Sequence, residues 1–228
     1  MDFLMDYIMM YFNMIVRVLV MIVFYLVSAI VSERIQRAYN DFALGKTQSG
    51  AAGCEAARSI LHKNNILDIA VLPKTGFFSD SYSRIGKRIT LSEKIYGGSS
   101  ITASAIAAQK TAHAVVVSRK FSLMSLLIML KPIARIVTPM YIPLLLVSTI
   151  INIAYESDVM LYVFIAILVL QVITLPVVFY ASKIALRELK ENDILNEEER
   201  YGAKKVLRSL SFTHISTIII TLIYVIRF

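Results

Sequence analysis

The sequence predicts a mainly α integral membrane protein in which four transmembrane helices carry a small α+β domain. Composition is the first observation: 57% of the 228 residues are hydrophobic and 18% are charged, whereas charged residues make up about 25% of a soluble domain. The second is a set of four apolar segments that supply, or nearly supply, the roughly 20 helical residues that a bilayer core requires. These segments lie at about 8–31, 136–155, 159–180 and 212–226.

The apolar segments divide the chain into three parts. Residues 1–31 are predicted to form an N-terminal transmembrane anchor, because "MDFLMDY" carries two acids where a cleavable signal peptide has basic residues. Residues 32–120 are predicted to form a cytoplasmic domain, which includes a long helix at 100–117. Residues 121–228 are predicted to form a membrane domain, with the other three spans and a charged cytoplasmic loop at 181–211.

Charge predicts the orientation, since basic residues near the ends of spans stay in the cytoplasm. Every lysine and arginine except Arg17 and Arg227 lies in 32–135 or 181–211. The chain is therefore predicted to be a multi-pass protein of the plasma membrane, with both termini outside and the domain at 32–120 in the cytoplasm. The net charge of +8 fits this topology together with attraction to anionic lipids. The predicted partner is thus the lipid bilayer and not nucleic acid.

The cytoplasmic domain is predicted to contain both helices and strands. A short amphipathic helix fits "SGAAGCEAARSILHKNN". Two short strands fit "LDIAVLP" and "KRITLSE", with the turn-forming "TGFFSDSYSRIG" between them. "GGSS" then supplies the cap of the long helix. The single cysteine, Cys54, can form no intramolecular disulfide.

The long helix contains "SAIAAQKTAHAVV" at 104–116, whose spacing is close to that of a zinc-peptidase helix. Such a helix carries His-Glu-x-x-His, because two histidines four residues apart share one face and bind Zn²⁺ while the glutamate activates water. On this motif alone, a single histidine among alanines is more typical of a packed interface than of a metal ligand. The five positions are here Gln109, Lys110, Thr111, Ala112 and His113.

Longer segments add a resemblance that this motif alone does not carry. "IAAQKTAHAVV" is similar to "VAAHEVGHAIQ", and "QVITLPVVFYASKIALREL" is similar to "QLVTLPVEFxASxRALxxL". "SGAAGCEAARSIL", "FFSDSYSRIGKRITLSEKIYGGSS" and "EEERYGAKKVLRSLSFTHIS" match further patterns in the same order. On these segments the sequence resembles the YugP-like family of bacterial membrane neutral zinc metallopeptidases. The resemblance implies a zincin-like α+β domain, a bacterial inner membrane location and zinc as the cofactor of the parent family.

Most of the positions that carry the family's chemistry are changed in this chain. The first ligand position is Gln109, the general-base position is Lys110, and His113 is the retained ligand position. Val178 replaces the glutamate that the resemblance implies as the third zinc ligand. A histidine and an acid of the family's "DHYD" are replaced as well, so the vestigial site consists of Gln109, Lys110, His113, Val178, Ser81 and Ser83.

These changes predict that neither zinc binding nor catalysis remains. Zinc requires about three protein ligands, and a protonated lysine cannot take a proton from water, so no catalytic residue, metal or other cofactor is expected. Lys110 has two interpretations: its charge replaces that of zinc and pairs with Asp80 or Glu93, or it points to water or lipid headgroups. His62 and His214 are interpreted as a helix-end residue and an interhelical residue rather than as ligands.

Three functions follow as hypotheses. In the first, the protein is a catalytically inactive homologue, a pseudo-peptidase, which binds or scaffolds partners such as other membrane proteins or an active peptidase. In the first alternative, it is an active membrane zinc metallopeptidase with atypical ligands. In the second alternative, it is a small transport or channel component that uses Arg17, Arg135 and Gln171.

Overall fold

The computed structural model describes residues 45–76, 79–118, 125–130 and 158–226, and single positions within 5–43 and 133–143. The helices and strands along these residues are α1 (Gly53–Lys63), β1 (Ala70–Pro73), β2 (Ser81–Ser83), β3 (Arg88–Leu91), α2 (Glu93–Tyr96), α3 (Ile101–Ser118), α4 (Asp158–Glu191) and α5 (Glu197–Ile226).

The three strands form one small sheet in the order β1, β3, β2. β1 runs parallel to β3 and β2 runs antiparallel to it, so that Val71 and Tyr82 flank Ile89. Side chains alternate between the two faces of a strand, and these three positions share the face that packs on the hydrophobic core. The strands predicted at "LDIAVLP" and "KRITLSE" are confirmed.

β2 lies inside "TGFFSDSYSRIG", and the prediction of a turn there is wrong for Ser81–Ser83. The strand has only three residues and a serine at each end, so it lacks the run of β-branched residues that is typical of a strand. Pairing with β3 holds it in place, together with a 2.8 Å hydrogen bond between Ser81 Oγ and Thr90 Oγ1.

α1 packs closely against the short helix α2. A Cβ atom on Gly53 would lie 2.1 Å from the carbonyl oxygen of Ile95, so only glycine allows the two backbones to approach this far. The N-terminus of α1 is capped by Glu55, whose Oε2 accepts a 2.8 Å hydrogen bond from the backbone N–H of Ala52. The predicted amphipathic helix is therefore confirmed.

α3 lies at the centre of the fold and packs against α1, α4 and α5. Every side chain from Thr102 to Val116 is buried except that of Lys110, which is half-buried. Many of these residues are alanines, and their small side chains let three other helices approach the α3 backbone. This packing puts the "QKTAH" segment inside the protein.

α4 and α5 form a helical hairpin, with residues 192–196 as the turn. α4 continues without a break through Pro176 and ends at Glu191. The segment at 181–211, which was predicted as a charged loop, therefore contains the last turns of α4 and the first turns of α5. α5 approaches α3 closely at Gly202, where a Cβ atom would lie 3.3 Å from Cγ2 of Ile101.

The prediction of four transmembrane helices is wrong. Among the described residues, one helix, Leu161–Glu191, is long and apolar enough to cross a membrane. The predicted span at 212–226 is the second half of α5, where threonines, a serine and His214 interrupt an apolar stretch shorter than the roughly 20 residues that a bilayer core requires.

The predicted spans at 8–31 and 136–155 are described only at interspersed positions. The corrected fold class is a mixed α/β domain with a small sheet and, in the part that the structure describes, one candidate membrane-spanning helix. A multi-pass topology is therefore not retained.

Candidate functional site

A hydrogen bond links the "QKTAH" segment of α3 to α4. Nε2 of Gln109 donates to Oγ of Ser182 at 3.0 Å, and Oγ of Ser182 donates to the carbonyl oxygen of Val178 at 2.9 Å. A serine hydroxyl has one hydrogen, so Ser182 can only accept from Gln109. In this arrangement the NH₂ end of the Gln109 amide faces α4 and its oxygen points away from Ser182.

The three predicted ligand positions lie along this contact. The start of α3 lies beside the start of α5, next to the α4–α5 turn, as the approach of Ile101 to Gly202 shows. α3 and α4 must then run antiparallel, because Gln109 and Ser182 both lie farther from that turn. One helical turn farther still, His113 follows on α3 and Val178 on α4, and both are buried, with 4% and 2% of their surfaces exposed.

Lys110 lies next to Gln109 on a different side of α3 and is half-buried. Of the two acids proposed as its partners, Asp80 accepts a 2.6 Å hydrogen bond through Oδ1 from the backbone N–H of Ser92. Glu93 is exposed at the start of α2. The pairing of Lys110 with either acid stays a prediction.

Ser81 and Ser83 lie on β2, a strand that also contacts α3, and their grouping with the positions on α3 and α4 stays a prediction. They flank Tyr82, which packs against the hydrophobic core and whose pKa is raised mainly by burial. Because neighbouring side chains of a strand point to opposite faces, the two serines lie on the outer face of the sheet. Ser81 bonds to Thr90 there, and Ser83 Oγ accepts a 3.1 Å hydrogen bond from the N–H of Gly86.

The residues at the α3–α4 contact do not fit a zinc ion. A zinc ligand must offer a lone pair, and Val178 has none, while Gln109 turns its donor end toward α4. His113 alone keeps a zinc-binding side chain. Within the described ranges, no group of three His, Cys, Asp or Glu side chains could hold a metal ion, and His62 and His214 lie exposed on other helices.

The remaining residues named in the sequence analysis are described by the structure to different extents. Gln171 is buried on α4, and its side-chain amide makes no hydrogen bond to the described residues. Arg17 and Arg135, which were combined with it in the transport hypothesis, lie outside the described residues. Cys54 is a free, buried cysteine at the start of α1.

Two residues of this region were missed at the level of sequence. Ser182 follows Val178 by four residues, which is one helical turn, so that spacing could have indicated it. Glu188 is a carboxylate with only 1% of its surface exposed. It accepts hydrogen bonds from Asn64 Nδ2 at 2.8 Å and Arg187 Nη2 at 3.1 Å, and its position within the buried stripe of α4 could have indicated it.

Two surface grooves of the described residues lie away from the α3–α4 contact. One, of about 530 Å³, lies on the exposed side of α4, and the other, of about 280 Å³, lies beside the α4–α5 turn. Neither is lined by Gln109, His113 or Val178. The predicted ligand positions are therefore packed between helices and do not line either groove.

Comparison with known proteins identifies relatives over most of the chain. A family model described as "Putative neutral zinc metallopeptidase" matches residues 17–228. The chain is also 26% identical, over 195 residues, to a protein named "Putative membrane protease YugP" from Bacillus subtilis (strain 168), and the match covers 86% of this chain and 87% of that protein. No solved structure matches.

Proposed function

We propose that this chain, which belongs to the neutral zinc metallopeptidase family, is a catalytically inactive member that acts by binding a membrane-protein partner. Its family membership confirms the resemblance found in the sequence, and zinc is the metal that the family description implies. The proposed loss of catalysis follows from the residues that this chain carries at the positions of the family's zinc ligands.

The hydrogen bond between Gln109 and Ser182 carries the proposal. In a zinc site, side chains of two helices bind one ion, and the ion thereby ties the helices together. Here an amide and a hydroxyl tie α3 to α4 directly. The side chain at the first ligand position is thus committed to a structural contact and offers its N–H group, which cannot bind a cation.

Lys110 supports the proposed loss of catalysis, because it cannot act as the general base. The family pattern has a glutamate at this position, where it would take a proton from water. An ammonium group has no lone pair with which to accept that proton, and it would repel a divalent cation nearby. A metal held by other residues would therefore still lack its general base.

α4 supports a place in the membrane. It contains the stretch Leu161–Glu191, which by length and composition could cross a bilayer, and the Bacillus relative is named a membrane protease. We propose that α4 holds the chain in the membrane. A partner bound by this family member would then be a membrane protein that it retains and does not cleave.

Metal content tests the proposal directly. Detergent-purified parent protein would be compared, by elemental mass spectrometry after exposure to zinc, with the triple variant Gln109→His, Lys110→Glu and Val178→Glu. We expect no stoichiometric zinc in the parent and about one zinc per chain in the triple variant, since three ligands are then present. One zinc per chain in the parent would overturn the proposal.

Ser182→Ala is the matched control for that experiment. It removes the hydrogen-bond partner of Gln109 but adds no ligand, so it loosens the α3–α4 contact without rebuilding a metal site. We expect it to remain free of zinc. Zinc uptake by this control would indicate that the unmodified protein already contains enough zinc ligands and that the Gln109–Ser182 hydrogen bond only blocks access to them.

The binding role needs its own measurement. The unmodified protein would be purified in mild detergent, and the proteins that copurify with it would be compared by mass spectrometry with those of an isotope-labelled preparation that lacks it. One membrane protein should copurify at a constant molar ratio to this chain. That membrane protein should stay uncleaved when zinc is added. Recovery of the parent alone, or zinc-dependent cleavage that a chelator abolishes, would contradict the binding role.

A further inference from the structure

The cations near the α4–α5 turn are paired with acids. Arg187 bonds to Glu188 at 3.1 Å and lies 3.6 Å from Glu191. Glu197 accepts contacts from Lys190, at 3.0 Å, and from Arg200. The charges at this end of the hairpin are therefore largely balanced within the protein.

Four cations farther along the same hairpin are not balanced in this way. Lys183 on α4 and Lys204, Lys205 and Arg208 on α5 are all exposed. None of them forms an ion pair with a carboxylate in the part of the chain that the structure describes. We name these four residues the basic collar.

Two members of the basic collar lie over exposed aromatic rings. Lys205 Nζ is 4.9 Å from the ring centre of Tyr201, and Arg208 Cζ is 5.6 Å from that of Phe212. These rings are 63% and 47% exposed. Cation–π contacts of this kind hold a charged group at the surface without neutralising it, so the charges stay available to an external anion.

The basic collar lies within about one helical turn along the hairpin. In an antiparallel pair, residues equally far from the turn lie side by side, and around Ile194 this puts Lys183 level with Lys205. By the same count, exposed Tyr180 is level with Arg208. From this level α4 becomes apolar toward its N-terminus, and α5 becomes apolar after Phe212.

We propose that the basic collar binds the phosphate groups of anionic phospholipids and sets the depth of the protein in the membrane. Unpaired cations beside exposed aromatic rings, at the border between a charged and an apolar part of a helix, match the chemistry of lipid headgroups. The phosphates supply the missing negative charge, while the rings and the apolar half of α4 contact the acyl chains. This proposal rests on the proposed membrane location of α4 and is independent of the α3–α4 contact.

Lipid selectivity tests the proposal. The full chain in mild detergent would be titrated with phosphatidylglycerol and with phosphatidylcholine, and native mass spectrometry would count the bound lipids. We expect the parent to prefer phosphatidylglycerol. The variant Lys204→Gln, Lys205→Gln and Arg208→Gln should lose about tenfold or more of this preference, since each cation near an anionic surface contributes several-fold.

A control removes equal charge elsewhere. Lys63, Lys74 and Lys94 are exposed lysines of the α/β domain, and their replacement by glutamine should leave the preference unchanged. Equal loss in the control and the collar variant would overturn the proposal, because net charge would then explain the preference. An undiminished preference in the collar variant would overturn it as well.

Two measurements on the parent alone keep the proposal testable if the collar variant fails to fold. Raising the salt from about 0.1 M to about 1 M shortens the Debye length from about 10 Å to about 3 Å, and this should abolish the preference for phosphatidylglycerol. A preference that survives high salt would contradict the proposal. Glycerol 3-phosphate, a headgroup without acyl chains, should bind at least about tenfold more weakly than the lipid; equal affinity would overturn the assignment in favour of a soluble phosphate.

Discussion

Two of the buried polar contacts that α4 makes with the α/β domain differ in charge. At the former ligand positions, Ser182 meets the neutral amide of Gln109. Nearer the α4–α5 turn, the buried carboxylate of Glu188 meets Asn64 and Arg187. Both contacts connect the same helix to the same domain, through Gln109 and through Asn64, and of the two only the second contains an ion pair, which Glu188 forms with Arg187 of α4 itself.

The difference shows what a buried carboxylate requires. Removing an ionised group from water costs several kcal/mol unless an opposite charge and hydrogen bonds compensate. Glu188 has a guanidinium and an amide as compensation. Under the proposed loss of zinc, a glutamate at 178 would have no such compensation, whereas the buried aliphatic side chain of Val178 needs none.

The largest expected effect comes from placing a charge at the neutral contact. Val178→Glu alone buries a carboxylate without a metal, and we expect it to lower the free energy of unfolding by about 3 kcal/mol or more. Denaturant titration in mild detergent would measure this. Val178→Thr, which is similar in shape and uncharged, is the control and should cost less. A tolerated Val178→Glu without zinc would break the comparison.

Removing the charge at the other contact should have the next largest effect. Glu188→Ala removes one acceptor each from Asn64 and Arg187, and we expect a loss of about 2 kcal/mol in the free energy of unfolding. Arg187 is partly exposed and can turn to water, which limits the loss. Glu188→Gln, which keeps an acceptor oxygen, should cost less. If the two variants cost the same, hydrogen bonding does not explain the burial of Glu188.

The neutral contact should contribute less to the free energy of unfolding than the charged contact. Ser182→Ala removes a neutral hydrogen bond, for which we expect a loss of about 1 kcal/mol in the free energy of unfolding. A double-mutant cycle with Gln109→Leu measures the coupling: the double variant should cost clearly less than the sum of the single variants. Strict additivity would show that the two side chains do not stabilise each other.

The smallest expected effect concerns an exposed charge cluster at the α4–α5 turn. Lys190 and Arg200 hold the pKa of Glu197 below its ordinary value of 4.5. A carboxylate with a lowered folded pKa stabilises the protein above its unfolded pKa, and this stabilisation is lost as the pH falls through the folded pKa. The unfolding temperature of the parent should therefore fall more steeply below about pH 4.5 than that of Glu197→Gln. Glu198→Gln, at an exposed neighbour without an ion pair to the described residues, should retain the slope of the parent.

The sequence allowed the general character of the fold to be predicted, and less of its membrane part. The helices around "GCEAARSILHK" and "ITASAIAAQKTAHAVVV" and two of the three strands could be predicted, because periodicity and turn residues are local signals. β2 could not, since pairing with β3 and not its own residues makes it a strand. The four-span prediction fails at 212–226 because that apolar stretch is the second half of α5 and is both short and interrupted by hydroxyl groups and His214, features that the sequence itself already shows.

The residues of the candidate site could be predicted only where the resemblance to the metallopeptidase family implied a zinc-ligand position. Gln109, His113 and Val178 could be grouped in advance because a shared metal would require it. The bond to Ser182 could not, since it depends on the register between α3 and α4. The grouping of Ser81 and Ser83 with these positions stays a prediction; the alternation of β2, which turns Tyr82 to the core, places the two serines on the opposite face of the sheet.

The response of the parent to zinc tests the central claim most directly. A ligand that binds the folded state raises its stability, by about 4 kcal/mol at a thousandfold excess over the dissociation constant. We predict that the unfolding temperature of the unmodified protein is the same with zinc and with a chelator, because the Gln109–Ser182 hydrogen bond links α3 to α4 without a metal ion. A temperature that falls with the chelator and returns with zinc would show that the α3–α4 contact still depends on a metal ion.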